Sequence, residues 1–172
     1  GHHVTGLSRE VDADLAPGVI AARGDVVSGD GLAEAMSAAD AVIHLVGIIS
    51  EHGRATFQRV HVEGTRNVVN SARAAGVTRL VHMSALGAAL GSPSEYQSSK
   101  ARAEEVVRAS GLQWTIMRPS LIFGVGDGFF SGTLRGLVTK PPVIPVVGTG
   151  EYRFRPVRIG DVRNRSSVCR YR

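Results

Sequence analysis

Short apolar, β-branched runs alternate along the chain with longer stretches in which apolar residues recur every three or four positions. This alternation predicts βαβ units and therefore a parallel sheet with packed helices. The run at 41–46 is almost continuously apolar, which is typical of a strand that is covered on both faces. The predicted strands are 3–8, 18–22, 41–46, 79–83 and 114–117.

The helical stretches have glycine at their ends. Apolar and small residues between positions 57 and 75 fall along one face of a long helix, which Gly76 ends. A second long helix ends in the same way at Gly111. The predicted helices are 29–39, 57–75, 94–110 and a short one at 130–138 within a Gly- and Pro-rich region.

Length and composition suit a folded α/β protein. The chain has 172 residues, 43% of them hydrophobic, which allows one domain with a sizeable core. No apolar run reaches the length of a membrane span, so only peripheral membrane association stays open. Cys169 is the one cysteine and cannot form an internal disulfide, which fits a reducing compartment. We therefore expect a cytoplasmic protein.

The net charge of +5 is concentrated near the end of the sequence. Nucleic-acid binding would require a basic face with interleaved aromatic residues on a recognisable module, and the sequence has no such module. We expect a solvated basic tail and no nucleic-acid partner. The arginines concerned are Arg153, Arg155, Arg158, Arg163, Arg165, Arg170 and Arg172.

The candidate chemistry lies in the predicted helix 94–110. Tyr96 and Lys100 are four positions apart, so they share one helix face. A free phenol titrates near pH 10, and a neighbouring ammonium is expected to lower that pKa toward neutrality. Ser84, at the end of the preceding strand, could then hold a substrate oxygen against the phenol. The alternative is a solvated Tyr–Lys pair, because this spacing also arises by chance.

Other polar and aromatic residues have structural interpretations. His44, His61 and His82 share no metal-ligand spacing, so we expect satisfied or partly buried rings and no metal site. Asp161 is expected to cap a helix. Trp114 opens an apolar strand and is expected in the core.

The arrangement of Ser84, Tyr96 and Lys100 resembles the Ser/Tyr/Lys site of the short-chain dehydrogenase/reductase family. Further segments are similar to the extended and atypical branches of that family in both order and spacing. The segments 118–124 and 153–162 are most similar to the atypical branch related to a nucleotide-binding accessory subunit of respiratory complex I. The matching segments are 24–26, 44–47, 62–68, 118–124 and 153–162.

The resemblance implies a role for each matching residue. Tyr96 would be the general acid/base, Lys100 would tune it and hold the nicotinamide ribose, and Ser84 would orient the substrate oxygen. Arg9 would contact a 2′-phosphate, which slightly favours NADP over NAD. The alternative, that Arg9 is an ordinary surface arginine, is expected about equally. Asp25 would lie against the adenine, although Gly-Asp is also a common turn pair. The remaining cofactor-binding residues that the resemblance implies are Val26, Leu45, Val46, Gly47, Arg118, Pro119 and Ser120.

The resemblance also implies the fold. We expect an α/β, Rossmann-like, doubly wound parallel sheet over residues 1–123, followed at 124–172 by part of a substrate lobe and the basic tail. The Gly-rich turn that holds the pyrophosphate in such folds is missing, because residues 7–9 after Gly6 contain no glycine. We therefore expect the first strand, the first helix and the end of the substrate lobe to be absent. Two strands would then lose their shared partner, and their open edges would favour self-association.

Three functions follow from these features. The first is an NAD(P)-dependent oxidoreductase or epimerase-type protein that acts on a small molecule the sequence does not identify. Because the Gly-rich loop is missing, we expect this chain to bind NADP(H) weakly or not at all. The second is a nucleotide-binding scaffold or assembly protein without turnover. The third is an inactive gene fragment.

Overall fold

The computed structural model describes residues 2–10, 15–128, 132, 135–139, 149, 151 and 155–168. They belong to two compact units, Gly1–Arg118 and Pro119–Arg172. Strands and helices alternate in the first unit, as the sequence predicts. In chain order its elements are β1 (Val4–Ser8), β2 (Val19–Arg23), α1 (Leu32–Met36), β3 (Ala41–His44), a π-helix (Gln58–Glu63), α2 (Gly64–Ala74), β4 (Arg79–Met83), α3 (Glu95–Arg108) and β5 (Gln113–Met117).

The strand pairs of the first unit are parallel. β1 pairs with β2, and β4 lies between β3 and β5. Within the described residues no ladder joins β1 to β3, so the strands form two separate sheets. The α/β class with parallel strands is therefore confirmed, and the break lies where the sequence predicts a missing central strand.

The core of the first unit lies between β4 and the helices that pack on it. Leu80 of β4, Ala72 of α2 and Val107 of α3 are each 0% exposed. They belong to one cluster, which forms because the apolar positions of each helix fall on a single face. Burial of one Leu or Val side chain stabilises the fold by roughly 1.5–3 kcal/mol. This packing fixes α3, which carries Tyr96 and Lys100.

The edge strands of the three-stranded sheet are less buried than predicted. His44 of β3 contacts Thr65 of α2, so the preceding Ile43 points to the opposite face. Ile43 is 42% exposed, and the expectation that β3 is covered on both faces is therefore wrong. Trp114 is 43% exposed instead of lying in the core, because β5 has a neighbouring strand on one side only among the described residues.

The predicted helix 57–75 is not regular throughout. Its first part is the π-helix Gln58–Glu63, which holds His61 in the interior with 1% exposure. Single π-turns of this kind occur often at functional sites. α2 and α3 both end as predicted, before Gly76 with φ 74° and Gly111 with φ 75°.

The second unit contains a short parallel pair and two helices within the described residues. These are β6 (Ile122–Phe123), α4 (Arg135–Thr139), β7 (Val157–Arg158), which pairs with β6, and α5 (Ile159–Val168). Asp161 lies in the first turn of α5 and not at its cap, where its carboxylate still interacts favourably with the helix dipole. The predicted helix 130–138 falls partly outside the described residues. Among the described residues, the structure has no helix that combines the length and the hydropathy of a membrane span.

Candidate active site

Lys100 is a buried cation on α3. It is 5% exposed, and its Nζ donates a hydrogen bond of 3.0 Å to the carbonyl oxygen of Met83 at the end of β4. The turn after β3 packs directly on this ammonium group. A Cβ atom at position 47 would lie 2.9 Å from Lys100 Nζ and 3.4 Å from His61 Nε2, so Gly47 is the residue that fits there.

Burial shifts the two titrating groups of α3 in opposite directions. It lowers the pKa of Lys100 to about 8, although the Glu104 carboxylate opposes this shift. Burial of the phenol raises the pKa of Tyr96. The expectation that Lys100 lowers the pKa of Tyr96 is therefore wrong, because the lost hydration of the phenolate outweighs any attraction to the ammonium. At neutral pH the site holds a neutral phenol beside a charged lysine.

Two aromatic rings pack against the Tyr96 phenol. The Tyr96 ring meets Phe57 edge-on at a centroid distance of 5.9 Å and His61 edge-on at 5.6 Å. Phe57 and His61 stack on each other at 5.4 Å. Edge-to-face contacts are a favoured geometry for aromatic pairs, so this group orients the phenol and accounts for its partial burial.

His61 connects three backbone segments through hydrogen bonds. The Ser99 hydroxyl donates to the carbonyl oxygen of Tyr96, so it accepts from His61 Nδ1–H at 2.9 Å. With the proton on Nδ1, Nε2 accepts from the Ile48 N–H at 3.0 Å. Burial, with the charge of Lys100 nearby, lowers the pKa of His61 to about 4, so the ring is neutral at pH 7.

Ser84 donates its hydroxyl proton to Glu104 and not toward the phenol. Its Oγ lies 2.5 Å from Glu104 Oε1, and no hydrogen bond joins Ser84 to Tyr96 among the described residues. The Arg118 guanidinium donates two further bonds to the same carboxylate, at 2.7 and 2.6 Å. Arg108 adds a fourth at 2.6 Å. The structure thus brings Ser84 and Arg118 together, but around Glu104.

Glu104 is a buried carboxylate with a full set of donors. Its side chain is 0% exposed, which by itself would raise its pKa. The hydrogen bonds from Arg118, Ser84 and Arg108 outweigh burial and lower the pKa of Glu104 to about 2. The carboxylate therefore stays charged and ties the ends of β4 and β5 to α3.

The predicted adenine wall is an ordered turn after β2. Asp25 Oδ1 accepts from the Val27 N–H at 2.7 Å, a common turn-stabilising bond, and Val26 is buried. Asn67 of α2 donates to the carbonyl oxygens of Val26 and Val27 at 2.9 and 3.1 Å. Helix α2 therefore fixes the backbone of this turn.

The remaining predicted cofactor residues differ in their surroundings. Arg9 is exposed at the end of β1. Leu45 and Val46, in the turn after β3, are 60% and 39% exposed. Pro119 and Ser120 lie in the second unit and are half-buried there.

The strand histidines form a neutral pair beneath this site. The rings of His44 and His82 are 5.2 Å apart, and His44 Nε2 lies 3.1 Å from Thr65 Oγ1. Burial lowers the pKa of His44 to about 3 and that of His82 to about 4. No group of three or more potential metal ligands comes together in the described part of the chain.

Sequence reasoning missed Glu104 and His61 as parts of the site, whereas Asn67 lies in the matching segment 62–68. Glu104 follows Lys100 by four residues, and this spacing alone indicates that it shares the buried face of α3. The partners of His61 lie 13 and 38 residues away, and no local pattern indicates them.

Residues 1–124 match the family described as NAD(P)H-binding. The chain belongs to this NAD(P)H-binding family. The predicted resemblance to atypical short-chain dehydrogenases is confirmed by this match and by relatives among the complex I subunits.

Two curated relatives are similar over most of the chain. Ceramide reductase of Caulobacter vibrioides is 36% identical over 72% of this chain and 40% of its own length. The complex I alpha subcomplex subunit 9 of Arabidopsis thaliana is 31% identical over 77% of this chain and 33% of its own. The chain therefore spans well under half the length of these relatives.

A solved structure, MoeE5 in complex with UDP-glucose and NAD, superimposes with a TM-score of 0.81 at 20% identity. The match covers 98% of this chain and 64% of that one. At this identity the likeness concerns the fold, and the predicted Rossmann-like fold is confirmed.

Proposed function

We propose that this chain binds NAD(P) with Lys100 and the turn after β3 at the nicotinamide ribose, and that Tyr96 is the acid/base group of an oxidoreductase or epimerase-type reaction. The observation that carries the proposal is the hydrogen bonding of Lys100. Its ammonium has three donors, and among the described residues the Met83 carbonyl is its acceptor. A buried ammonium whose other N–H groups can still donate hydrogen bonds is suited to bind ligand hydroxyl groups.

The geometry around Gly47 fits a nucleotide. Absence of a side chain there lets the turn backbone lie against the Lys100 ammonium, so a ligand that binds this cation would also meet the turn. When bound, NAD(P) supplies the nicotinamide that accepts or donates a hydride. Lys100 would hold the ribose, and the neutral Tyr96 phenol would donate its proton to the substrate oxygen. Burial of the phenol against two rings keeps that proton in place until a substrate accepts it.

In this proposal the Ser84 hydroxyl has two competing hydrogen-bond partners, Glu104 and the substrate oxygen. Its hydroxyl would orient the substrate oxygen only after turning away from Glu104, to which it donates in the structure. Retained turnover in a Ser84→Ala variant would show that Ser84 takes no part in the reaction.

We expect weak nucleotide binding by this chain. Residues 7–9 after Gly6 contain no glycine, so the sequence lacks the Gly-rich turn that meets the pyrophosphate, and that contact normally contributes much of the affinity. Arg9 gives NADP a slight advantage over NAD in this proposal. Calorimetry with NADPH and NADH tests both points, and micromolar affinity for either would contradict the expectation.

A second candidate is a nucleotide-binding scaffold without turnover. The raised pKa of Tyr96 and the commitment of Ser84 to Glu104 favour it, as does the 31% identity to a complex I subunit. Tyr96→Phe in the longest reading frame that encodes this segment separates the candidates. Loss of turnover with retained binding supports the enzyme, and an unchanged phenotype supports the scaffold.

Cellular context is part of the proposal. We propose a cytoplasmic location. If the protein is an assembly factor, we propose that it also associates peripherally with a membrane. The edges of β1 and β3 that are unpaired in the described residues would support self-association. Sedimentation over a range of concentrations tests the last point.

A further inference from the structure

We propose that His61 is a positioning residue that fastens the turn after β3 to α3 and thereby sets the place of the Gly47 backbone opposite Lys100. The inference deepens the proposed function and rests on it, because this turn and Lys100 are the surfaces assigned to the nicotinamide ribose. Two contacts of the imidazole and the conformation of the backbone beneath it support the inference.

The first contact joins His61 to the helix that bears the site. Its Nδ1–H donates to Ser99 Oγ, and the Ser99 hydroxyl donates to the carbonyl oxygen of Tyr96. His61 and Ser99 are 1% and 0% exposed, so water does not compete for the bond between them. The imidazole is therefore held to the N-terminal part of α3.

The second contact joins the same ring to the turn. Nε2 accepts the Ile48 N–H at 3.0 Å, and the Ile48 carbonyl oxygen lies 3.1 Å from it. A Cβ at Gly47 would lie 3.4 Å from Nε2 and 2.9 Å from Lys100 Nζ. The turn is thus held between His61 and Lys100, and a shift of the imidazole would change its gap to the ammonium.

The third observation is the backbone beneath His61. The residue lies in the π-helix Gln58–Glu63, where the wider turn changes the direction of each side chain relative to an α-helix. Phe57 stacks on one face of the ring and Tyr96 meets it edge-on. Backbone, stacking and hydrogen bonds therefore all fix one orientation of the imidazole.

Hydrogen exchange of the Ile48 amide, followed by NMR on the full chain without nucleotide, tests the second contact. His61→Gln carries its amide one methylene further than His61→Asn, so Gln reaches the place of Nε2 and Asn only that of Nδ1. We expect exchange about tenfold faster in H61N and within about twofold of wild type in H61Q, as the loss of one part-buried hydrogen bond implies. Thr65→Val removes a buried bond to His44 and is the matched control, with Ile48 unchanged.

Ser99→Ala tests the first contact with little change in volume. Nitrogen chemical shifts of the His61 ring should place the proton on Nδ1 in wild type and on Nε2 in S99A, where it would donate to the Ile48 carbonyl. Unchanged Ile48 exchange in H61N, equal acceleration in both His61 variants, or an Nδ1 proton retained in S99A would each overturn the proposal. If the Ile48 exchange and the His61 tautomer behave as expected but the wild-type spectrum does not change when NADPH is added, the proposed function is rejected and the role of His61 is retained.

Discussion

Lys100 and Glu104 lie one turn apart on α3, and both are buried, yet their surroundings differ. The Glu104 carboxylate receives hydrogen bonds from Ser84, Arg108 and Arg118. The Lys100 ammonium has the Met83 carbonyl as its described acceptor and a turn of backbone across its tip. The group around Glu104 is a closed cluster, because its carboxylate already has its hydrogen-bond partners. The Lys100 ammonium is open, because it can still donate to a further partner.

This difference separates residues that stabilise the fold from residues suited to bind a ligand. A carboxylate whose lone pairs are filled has little capacity left for chemistry, and its pKa of about 2 keeps it charged. A lysine whose pKa burial lowers to about 8 gains stability from any new acceptor. Ser84 belongs to the closed cluster, whereas Tyr96 lies with Lys100.

Breaking the closed cluster should have the largest effect. Glu104→Gln leaves Ser84 and two arginines with a weaker acceptor in a buried position, so we expect a loss of about 3 kcal/mol in the free energy of unfolding. This is the low end for a broken buried ion pair, because both arginines reach solvent. Urea denaturation measures it. Glu105→Gln, one position along and exposed, is the control with a change under about 0.5 kcal/mol, and equal losses would contradict the account.

Acid should destabilise the protein through its buried histidines. The pKa values of His44, His61 and His82 fall from 6.5 to about 3, 4 and 4 on folding. Between pH 6.5 and 4 the unfolded chain therefore binds protons that the folded chain does not, and stability falls by a few kcal/mol as the pH decreases. Urea midpoints from pH 7 to pH 4.5 measure this. A midpoint that is constant over this range would show that the rings are not held neutral.

Removing the open cation should stabilise the protein. Lys100→Met deletes a buried charge whose folded pKa is about 8 against 10.5 unfolded, and it costs one hydrogen bond to Met83. We expect a net gain of about 1–2 kcal/mol at pH 7. In wild type alone, stability should rise from pH 8 toward 10.5, because there the unfolded chain holds the extra proton. A marked loss of stability in K100M would place Lys100 with the closed cluster instead.

Removal of the phenol hydroxyl should have the smallest effect on stability. Tyr96→Phe keeps the edge-on contacts with Phe57 and His61, so the free energy of unfolding should change by less than about 0.5 kcal/mol. Thermal unfolding measures this. A larger loss would indicate a buried hydroxyl partner and a structural role for Tyr96.

Periodicity and spacing predict the part of this site that is local in the sequence. The strand 79–83 and the shared helix face of Tyr96 and Lys100 follow from spacings of two and four residues. The Arg118–Glu104 pair does not, because it depends on the pairing of β5 with β4 and on the packing of α3. The raised pKa of Tyr96 likewise depends on burial by rings from a π-helix that no sequence pattern indicates.

The central claim is that Lys100 and the turn after β3 receive a nicotinamide nucleotide. Titration of the isotope-labelled chain with NADPH at pH 7, followed by NMR, tests it most directly, with Lys100→Met and the α3 surface variant Arg102→Met compared with wild type. The account predicts weak binding in which the Gly47 amide and the Lys100 side chain shift together in wild type and R102M, and in which the Gly47 amide does not shift in K100M. Shifts of the same size at Gly47 in K100M would contradict it.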